Sequence, residues 1–393
     1  MLAVLPILTR AFQPSQLGLY QIALSVALVA QPFATTRIEY VLPVQKSPLS
    51  VTRLVRRATM MSLGTCLLLT LSGAVFWLIG RQAGATTAVM TATLLAVYAW
   101  TAVDNALLVR ARDYRRLATR NLLGGLTSGG MQLVVALWVP NVAALALAMF
   151  AGRGFALLLT RRSTSSLLAL GDGVDTNEYT ARRAVTTVAL GTVSTTVLQA
   201  LTLVTASTLG QAAAGLVGTT QRVAGAPASF VSQGLAQLVQ GRFSPVFTGG
   251  SQTAFHRTLL RTLIPLTALA GVIALGLAVG GPLLVEPVLG PEWGAAGPLL
   301  AIVAVPTALQ MMMGALNPLF VMAGGESTLL VQQLIRLVLS VGGAAGAAIL
   351  TRDLTAVVAT FAVATTAAYV ANILLLARLA RRYDAARTSD LST

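Results

Sequence analysis

The sequence predicts an all-α polytopic membrane protein. It is built from two six-helix lobes related by a pseudo-two-fold along the membrane normal, with the first helix truncated. Three observations predict the membrane class: the composition, a series of apolar runs of spanning length, and the placement of basic residues between them; the division into two lobes rests on a spaced repeat and on motifs given below. Hydrophobic residues make up 55% of the 393 residues, charged residues only 10%, and mean hydropathy is +0.78. Soluble domains carry about 25% charged residues. A chain this poor in charge can face lipid over most of its surface but cannot face water.

A span of the hydrocarbon core takes roughly 20 mostly apolar residues. The chain opens on Met1–Leu8, which is apolar but too short to span and lacks the basic region and cleavage site of a signal peptide. It is the expected remnant of the first helix. Full runs follow at 17–36, 60–80, 85–109, 121–139 and 141–160, completing an N-terminal lobe over 1–165. Residues 166–183 carry Asp172, Asp175 and Glu178 among serines and threonines and read as a flexible cytoplasmic linker. Runs at 184–209, 212–240, 262–280, 295–323, 328–350 and 354–377 make a C-terminal lobe over 184–380, with a cytoplasmic tail over 381–393. The run 212–240 is the most polar of these. Pro227, Pro306 and Asn317-Pro318 interrupt helical runs, as kinks or as loosened backbone lining a cavity.

The loops orient the chain. Taking 37–57 as cytoplasmic makes every second loop basic: Arg37, Lys46, Arg53, Arg56 and Arg57 there, then Arg110 to Arg120, then Arg161, Arg162, Arg182 and Arg183, then Arg242, Arg257 and Arg261, then the tail. The opposite face holds only Arg10, Arg81 and Arg352. Such asymmetry is the positive-inside pattern and places the C-terminus in the cytoplasm, as expected for a multi-pass protein of a bacterial inner membrane. A net charge of +15 invites a nucleic-acid reading. The basic residues form no stripe interleaved with aromatics, so that reading fails. Lys46 is the one lysine among 27 basic residues, and glycine is abundant, as in a high-GC coding bias. Cys66 and His256 are each alone in the chain, which excludes a disulfide framework and a Cys/His metal cluster. No phosphate-binding loop is present, and no cofactor is expected.

A spaced pattern recurs after about two hundred residues. Gly18-Leu19, Pro32, Pro43, Arg53 and Arg56 are echoed by Gly215-Leu216, Pro227, Pro245, Arg257 and Arg261. Parallel repeats of this kind are a transporter architecture with the substrate between the halves. Three arginines, Arg153, Arg222 and Arg336, lie inside apolar runs. A guanidinium stays charged in a protein, and charges within the bilayer are rare, costly and mostly functional. Their sign points to an anionic cargo. Arg222 lies about nine residues into its run, roughly 13 Å deep. Arg336 lies at a similar depth from the other side, and Arg153 is shallow enough to snorkel. Gln221 beside Arg222 and Gln332 one turn from Arg336 can hydrogen-bond the same cargo. Asp104 is either a coupling-ion site or a salt-bridge partner of the basic loop. Met311, Met312 and Met313 read as packing, and Glu39 as a partner for a loop arginine.

Four segments carry a family resemblance. Thr9-Arg10-Ala11-Phe12-Gln13-Pro14-Ser15-Gln16-Leu17-Gly18-Leu19-Tyr20 resembles the first outer loop of bacterial polysaccharide (O-antigen, Wzx-type) flippases. Arg37-Ile38-Glu39-Tyr40-Val41-Leu42-Pro43, Arg110-Ala111-Arg112-Asp113-Tyr114-Arg115-Arg116-Leu117-Ala118 and Leu289-Gly290-Pro291-Glu292-Trp293-Gly294-Ala295-Ala296-Gly297 are similar to later loops of that family, in order. The resemblance implies the multidrug/oligosaccharidyl-lipid/polysaccharide exporter fold, with helices in two lobes around a central cavity. It implies movement of a polyprenyl-pyrophosphate-linked oligosaccharide to the outer leaflet, with polysaccharide polymerase or glycosyltransferases as partners. Arginine suits such a cargo, because its fork offers paired hydrogen bonds to phosphate oxygens. About two exported negative charges are worth about 4–5 kcal/mol per 100 mV of inside-negative potential. Uniport is therefore energetically sufficient, with proton or sodium antiport as the alternative. Three other readings compete. A cation-coupled drug exporter requires deep acidic residues, a membrane polymerase or ligase requires a large catalytic outer loop, and a lipid II flippase belongs to the same superfamily.

Overall fold

The computed structural model describes residues 4–42, 47–160, 181–247 and 254–390. Among these residues the regular structure is helical, without strands. A short helix α1 (Leu5–Ala11) precedes α2 (Pro14–Thr35), a single turn α3 (Ile38–Val41), α4 (Pro48–Leu78), α5 (Gln82–Arg110), α6 (Tyr114–Trp138) and α7 (Val142–Leu159). Then come α8 (Ala181–Thr208), α9 (Gln211–Phe247), α10 (Phe255–Leu289), α11 (Ala296–Met322), α12 (Glu326–Thr351) and α13 (Leu354–Asp390). Lys46 and most of the expected 166–183 linker lie outside the described residues; its last three residues begin α8.

Among the described residues nine helices are long and apolar enough to cross a membrane, so nine of the eleven expected runs stand on that measure alone. The other two runs are the helices α6 and α9. Both are diluted by glycine, serine, threonine and glutamine, the small and polar residues that let membrane helices approach closely. The apolar faces are turned outward along α4, where Leu63, Leu67, Leu68 and Leu71 are exposed. That is the surface a lipid solvent requires.

Several helices run on past their apolar parts into stretches expected as loops. Helix α4 has 31 residues and starts at Pro48, so Arg53, Arg56 and Arg57 sit on its first turns. Helix α13 has 37 residues and carries Arg378, Arg381 and Arg382 on the turns that follow its apolar part. Pro227, Pro306 and Pro318 do not end their helices either; α9 and α11 run through them. Helix starts follow local chemistry. Pro14 and Pro48 occupy first turns, where a missing N–H costs nothing. Asp113 and Asn141 cap α6 and α7 by accepting from the backbone N–H of Arg116 (3.2 Å) and Ala143 (2.9 Å).

The chain divides into two compact units. The first comprises Met1–Ala206 with Gly210–Gly215, the second Ser207–Leu209 with Leu216–Thr393. In the first unit, α5 packs against α2, α4 and α7, and α6 packs against α7. The α6–α7 crossing is so close that a Cβ on Gly152 would overlap the Ser128 backbone, and Thr127 Oγ1 donates across it to the Gly152 carbonyl at 2.6 Å. The crossing of α2 with the start of α9 is closer still. A Cβ on Gly18 would collide with the Gln211 carbonyl oxygen, and one on Gly215 with that of Pro14. The two glycines that head the sequence repeat therefore face each other. After α2, Thr36 and Arg37 both adopt positive φ, 49° and 53°. This turn brings the Arg37 guanidinium to Glu39 (3.4 Å), to Thr195 Oγ1 (3.2 Å) and onto Gly191 of α8. The expected pairing of Glu39 is thus with Arg37.

In the second unit, α10 packs on α11, α12 on α13, and α11 on α13. Ala228 of α9, Ala270 of α10, and Ala308 and Met311 of α11 share one core, so Met311 does pack as expected. The start of α10 is fixed by Asp384 of α13, whose carboxylate accepts from the backbone N–H groups of Phe255 (2.7 Å) and His256 (2.9 Å). Phe243, Phe247, Phe255 and Tyr383 stack edge-on around that junction.

Candidate functional site

Asp104, near the end of α5, meets Arg120 of α6, with the Asp104 Oδ2 and Arg120 Nη1 atoms 2.5 Å apart. Arg120 is only 2% exposed, whereas Asp104 keeps 27% of its side chain accessible. Arg120 also donates through Nε to Thr160 Oγ1 at 2.9 Å and through Nη2 to the Thr160 carbonyl at 3.4 Å. One arginine thus ties α5, α6 and the end of α7 together. The sequence reading counted Arg120 among loop cations. It lies inside α6 instead, because α6 begins at Tyr114 and Arg120 falls on its packed side. Nothing in the spacing of the basic residues separates it from Arg115 or Arg116.

Arg153, on α7, is half-buried with its guanidinium 4.6 Å from the centroid of the Tyr98 ring of α5. Gln221 and Arg222 are half-buried neighbours on α9, each engaged in an interaction of its own. Arg336 is deeper, 4% exposed on α12, with its guanidinium 4.6 Å from the ring centroid of buried Tyr369 on α13. Gln332, one turn before Arg336, is buried and donates to the Ala368 carbonyl at 2.9 Å.

The buried polar groups between α12 and α13 form layers. The helices are joined by a short connection and run antiparallel, so Ser340 lies level with Thr365, Arg336 with Tyr369, and Gln332 and Gln333 with the turn from Ala368 to Asn372. Several atoms in this seam are buried without a hydrogen-bond partner: Arg336 Nε, the side-chain oxygens of Gln332 and Gln333, Thr365 Oγ1 and both polar atoms of Asn372. Buried polar groups are ordinarily paired, so a seam with this many free valences has hydrogen-bonding capacity in reserve. Tyr369 and Asn372 were missed by sequence reasoning. The available signal was their polarity and three-residue spacing within an apolar run.

Electrostatically, the described residues separate by sign. Asp104, an acid within an apolar span, is neutralised by Arg120. Arg153 and Arg336 form no ion pair among the described residues; each rests on an aromatic face. A cation on a ring keeps its charge available to an anion, because the ring quadrupole stabilises it without neutralising it. No group of three or more His, Cys, Asp or Glu residues stands together among the described residues as a metal site.

Comparison with known proteins gives a family and a fold. The family described as polysaccharide biosynthesis protein matches residues 7–298. Among solved structures, the chain resembles an inward-facing multidrug resistance MATE family transporter of the MOP superfamily. That match has a TM-score of 0.58 at 15% identity, covering 97% of this chain and 94% of the other. It also resembles a MATE protein in the straight conformation, with a TM-score of 0.55 at 15% identity, covering 97% and 88%. No curated protein matches.

Proposed function

Because the chain belongs to the polysaccharide biosynthesis protein family and has the fold of MOP-superfamily transporters, we propose that it is a flippase. The cargo is a polyprenyl-pyrophosphate-linked oligosaccharide, carried from the cytoplasmic to the outer leaflet of a bacterial inner membrane for surface polysaccharide biosynthesis. Family and fold point to transport rather than catalysis. The observation that carries the cargo assignment is the sign of the deep charge. Arg336 and Arg153 have no carboxylate partner among the described residues, while Asp104 has one. A drug exporter for cations needs the reverse.

Within this proposal, Arg222 and Gln221 are the first contacts for the pyrophosphate, since both are half-buried and reachable. Arg336 and Gln332 engage later, when the guanidinium turns off the Tyr369 ring; at 4% exposure Arg336 is closed to cargo before that. Arg153 is a separate candidate anion contact, within the first unit. Asp104 can take a coupling ion only if Arg120 releases it. Uniport down the membrane potential needs no such release, and is the mode we favour. The C-terminus is cytoplasmic in this orientation, with polymerase or glycosyltransferases as partners on either side of the transport step.

The test is leaflet exchange of a fluorescent polyprenyl-pyrophosphate oligosaccharide in proteoliposomes, with wild type, Arg222→Ala and Arg336→Ala. Exchange by wild type and a loss of about tenfold or more in either folded mutant supports the cationic route; one lost charge-assisted contact of about 1.5–3 kcal/mol accounts for that size. Exchange unaltered in both mutants assigns the arginines to structure. A wild type that extrudes cationic dyes and leaves the lipid in place overturns the proposal.

A further inference from the structure

Two cavities in the first unit are linked through one side-chain cluster, and the flippase proposal uses neither. One, of about 510 Å³, runs between α4, α5 and α7 and is walled by Ser62, Trp100, Val103, Phe150, Gly154 and Leu158. Trp100 and Leu158 are exposed at its rim, so it opens sideways to lipid. The other, of about 470 Å³, is polar and is lined by Asp113, Arg115, Arg116, Thr119, Leu159 and Thr160. The boundary between them is the Arg120 cluster. Arg120 pairs with Asp104, on the wall of the first, and bonds Thr160, on the wall of the second.

We propose that the pair of cavities is a binding site for an anionic glycerophospholipid of the leaflet on the basic side, with an acyl chain in the apolar groove and the headgroup phosphate against Arg115 and Arg116. Length and charge both select this occupant. Along α5 the groove extends from Ala99 to Leu107, about 12 Å at 1.5 Å per residue. That is close to half of the roughly 30 Å hydrocarbon core, the depth of one leaflet, and short for a long polyprenyl chain. At the polar end Asp113 bonds Arg116 at 3.4 Å, leaving the cavity about one positive charge. A phosphodiester carries one negative charge. The Asp104–Arg120 pair contributes no net charge between the two.

The site also offers a clean blocking position. A Cβ on Gly154 meets open space, so Gly154→Phe places a ring in the groove without displacing backbone. Native mass spectrometry of the detergent-purified full chain, titrated with phosphatidylglycerol and phosphatidylcholine of matched acyl chains, reads the occupancy. The expected result is preferential retention of phosphatidylglycerol. Arg115→Ser/Arg116→Ser should weaken it about fivefold or more, the size that one basic residue near an anionic lipid contributes, and leave phosphatidylcholine unchanged. Gly154→Phe should weaken both lipids. Equal retention of the two lipids by wild type overturns the proposal, as does unchanged phosphatidylglycerol retention in the arginine variant. Displacement of phosphatidylglycerol by equimolar polyprenyl phosphate overturns the choice of occupant. Should Gly154→Phe fail to fold, the arginine variant carries the test alone, since both side chains are exposed.

Discussion

Breaking the Asp104–Arg120 pair one residue at a time should cost far more than removing it whole. Taking one partner from a buried ion pair costs about 3–5 kcal/mol, because a charge is left buried and uncompensated, whereas exchanging both for apolar residues is often neutral or better. Asp104→Leu strands the guanidinium of Arg120, 2% exposed, with only Thr160 as partner, and belongs near the top of that range. Arg120→Leu strands a carboxylate that is 27% exposed. Water reaches it, and about 2–3 kcal/mol is the corresponding expectation. Thr160 remains satisfied in both, since its hydroxyl also donates to the Ala156 carbonyl at 2.7 Å. Simple addition would put the double mutant about 6–8 kcal/mol below wild type. The structure instead predicts a double mutant within about 1 kcal/mol of wild type, with a coupling energy above about 3 kcal/mol. Unfolding of the four proteins in one detergent, followed by circular dichroism, measures the cycle. An additive double mutant would refute the reasoning. The same double mutant should still exchange lipid if transport is uniport, and should stop if Asp104 binds a coupling ion.

Three further outcomes are expected. Gly18→Ala or Gly215→Ala should destabilise the protein by at least about 1–3 kcal/mol, because either methyl overlaps a backbone carbonyl of the facing helix and overpacking costs that much; thermal unfolding in detergent reads it, and an unshifted midpoint contradicts it. Asp384→Ala should cost about 1–2 kcal/mol by leaving two N–H groups at the start of α10 uncapped, with hydrogen exchange rising first at Phe255 and His256. Arg336→Met should raise stability by about 1 kcal/mol, since it removes a buried charge without an ion partner, while lowering transport. That combination marks a destabilising residue kept for function.

The spans were legible because lipid demands a continuous apolar surface, and a run of 20 residues such as 262–280 has few other uses. Helix ends were not. Arg53 and Arg382 look identical in sequence whether they sit on a loop or on a helix extended into water, and here both are helical. The same ambiguity hid Arg120. Charge pattern assigns it to the basic loop with Arg115 and Arg116, yet the close α6–α7 crossing at Gly152 and Ser128 sets which side of α6 is buried. The expected salt bridge for Asp104 was legible in kind, since a carboxylate so near five arginines will find one, but not in partner. Arg153 and Arg336 were visible as intramembrane charges. Their resting places on Tyr98 and Tyr369 depend on how α7 meets α5 and how α12 meets α13, and helix pairing is not written in one helix's own pattern. Gln332 shows the limit most plainly: its spacing from Arg336 is legible, but the Ala368 carbonyl to which its amide donates is not.

In the proposed mechanism the negative charge of the cargo is read by arginines inside the membrane. The most direct measurement compares two lipids in the same proteoliposomes, one carrying the oligosaccharide on a polyprenyl pyrophosphate and one carrying it on a neutral polyprenyl glycoside. Rapid leaflet exchange of the pyrophosphate lipid is expected, with exchange of the neutral one slower by about a hundredfold or more, as two lost charge-assisted contacts imply. Equal exchange of the two lipids would contradict it.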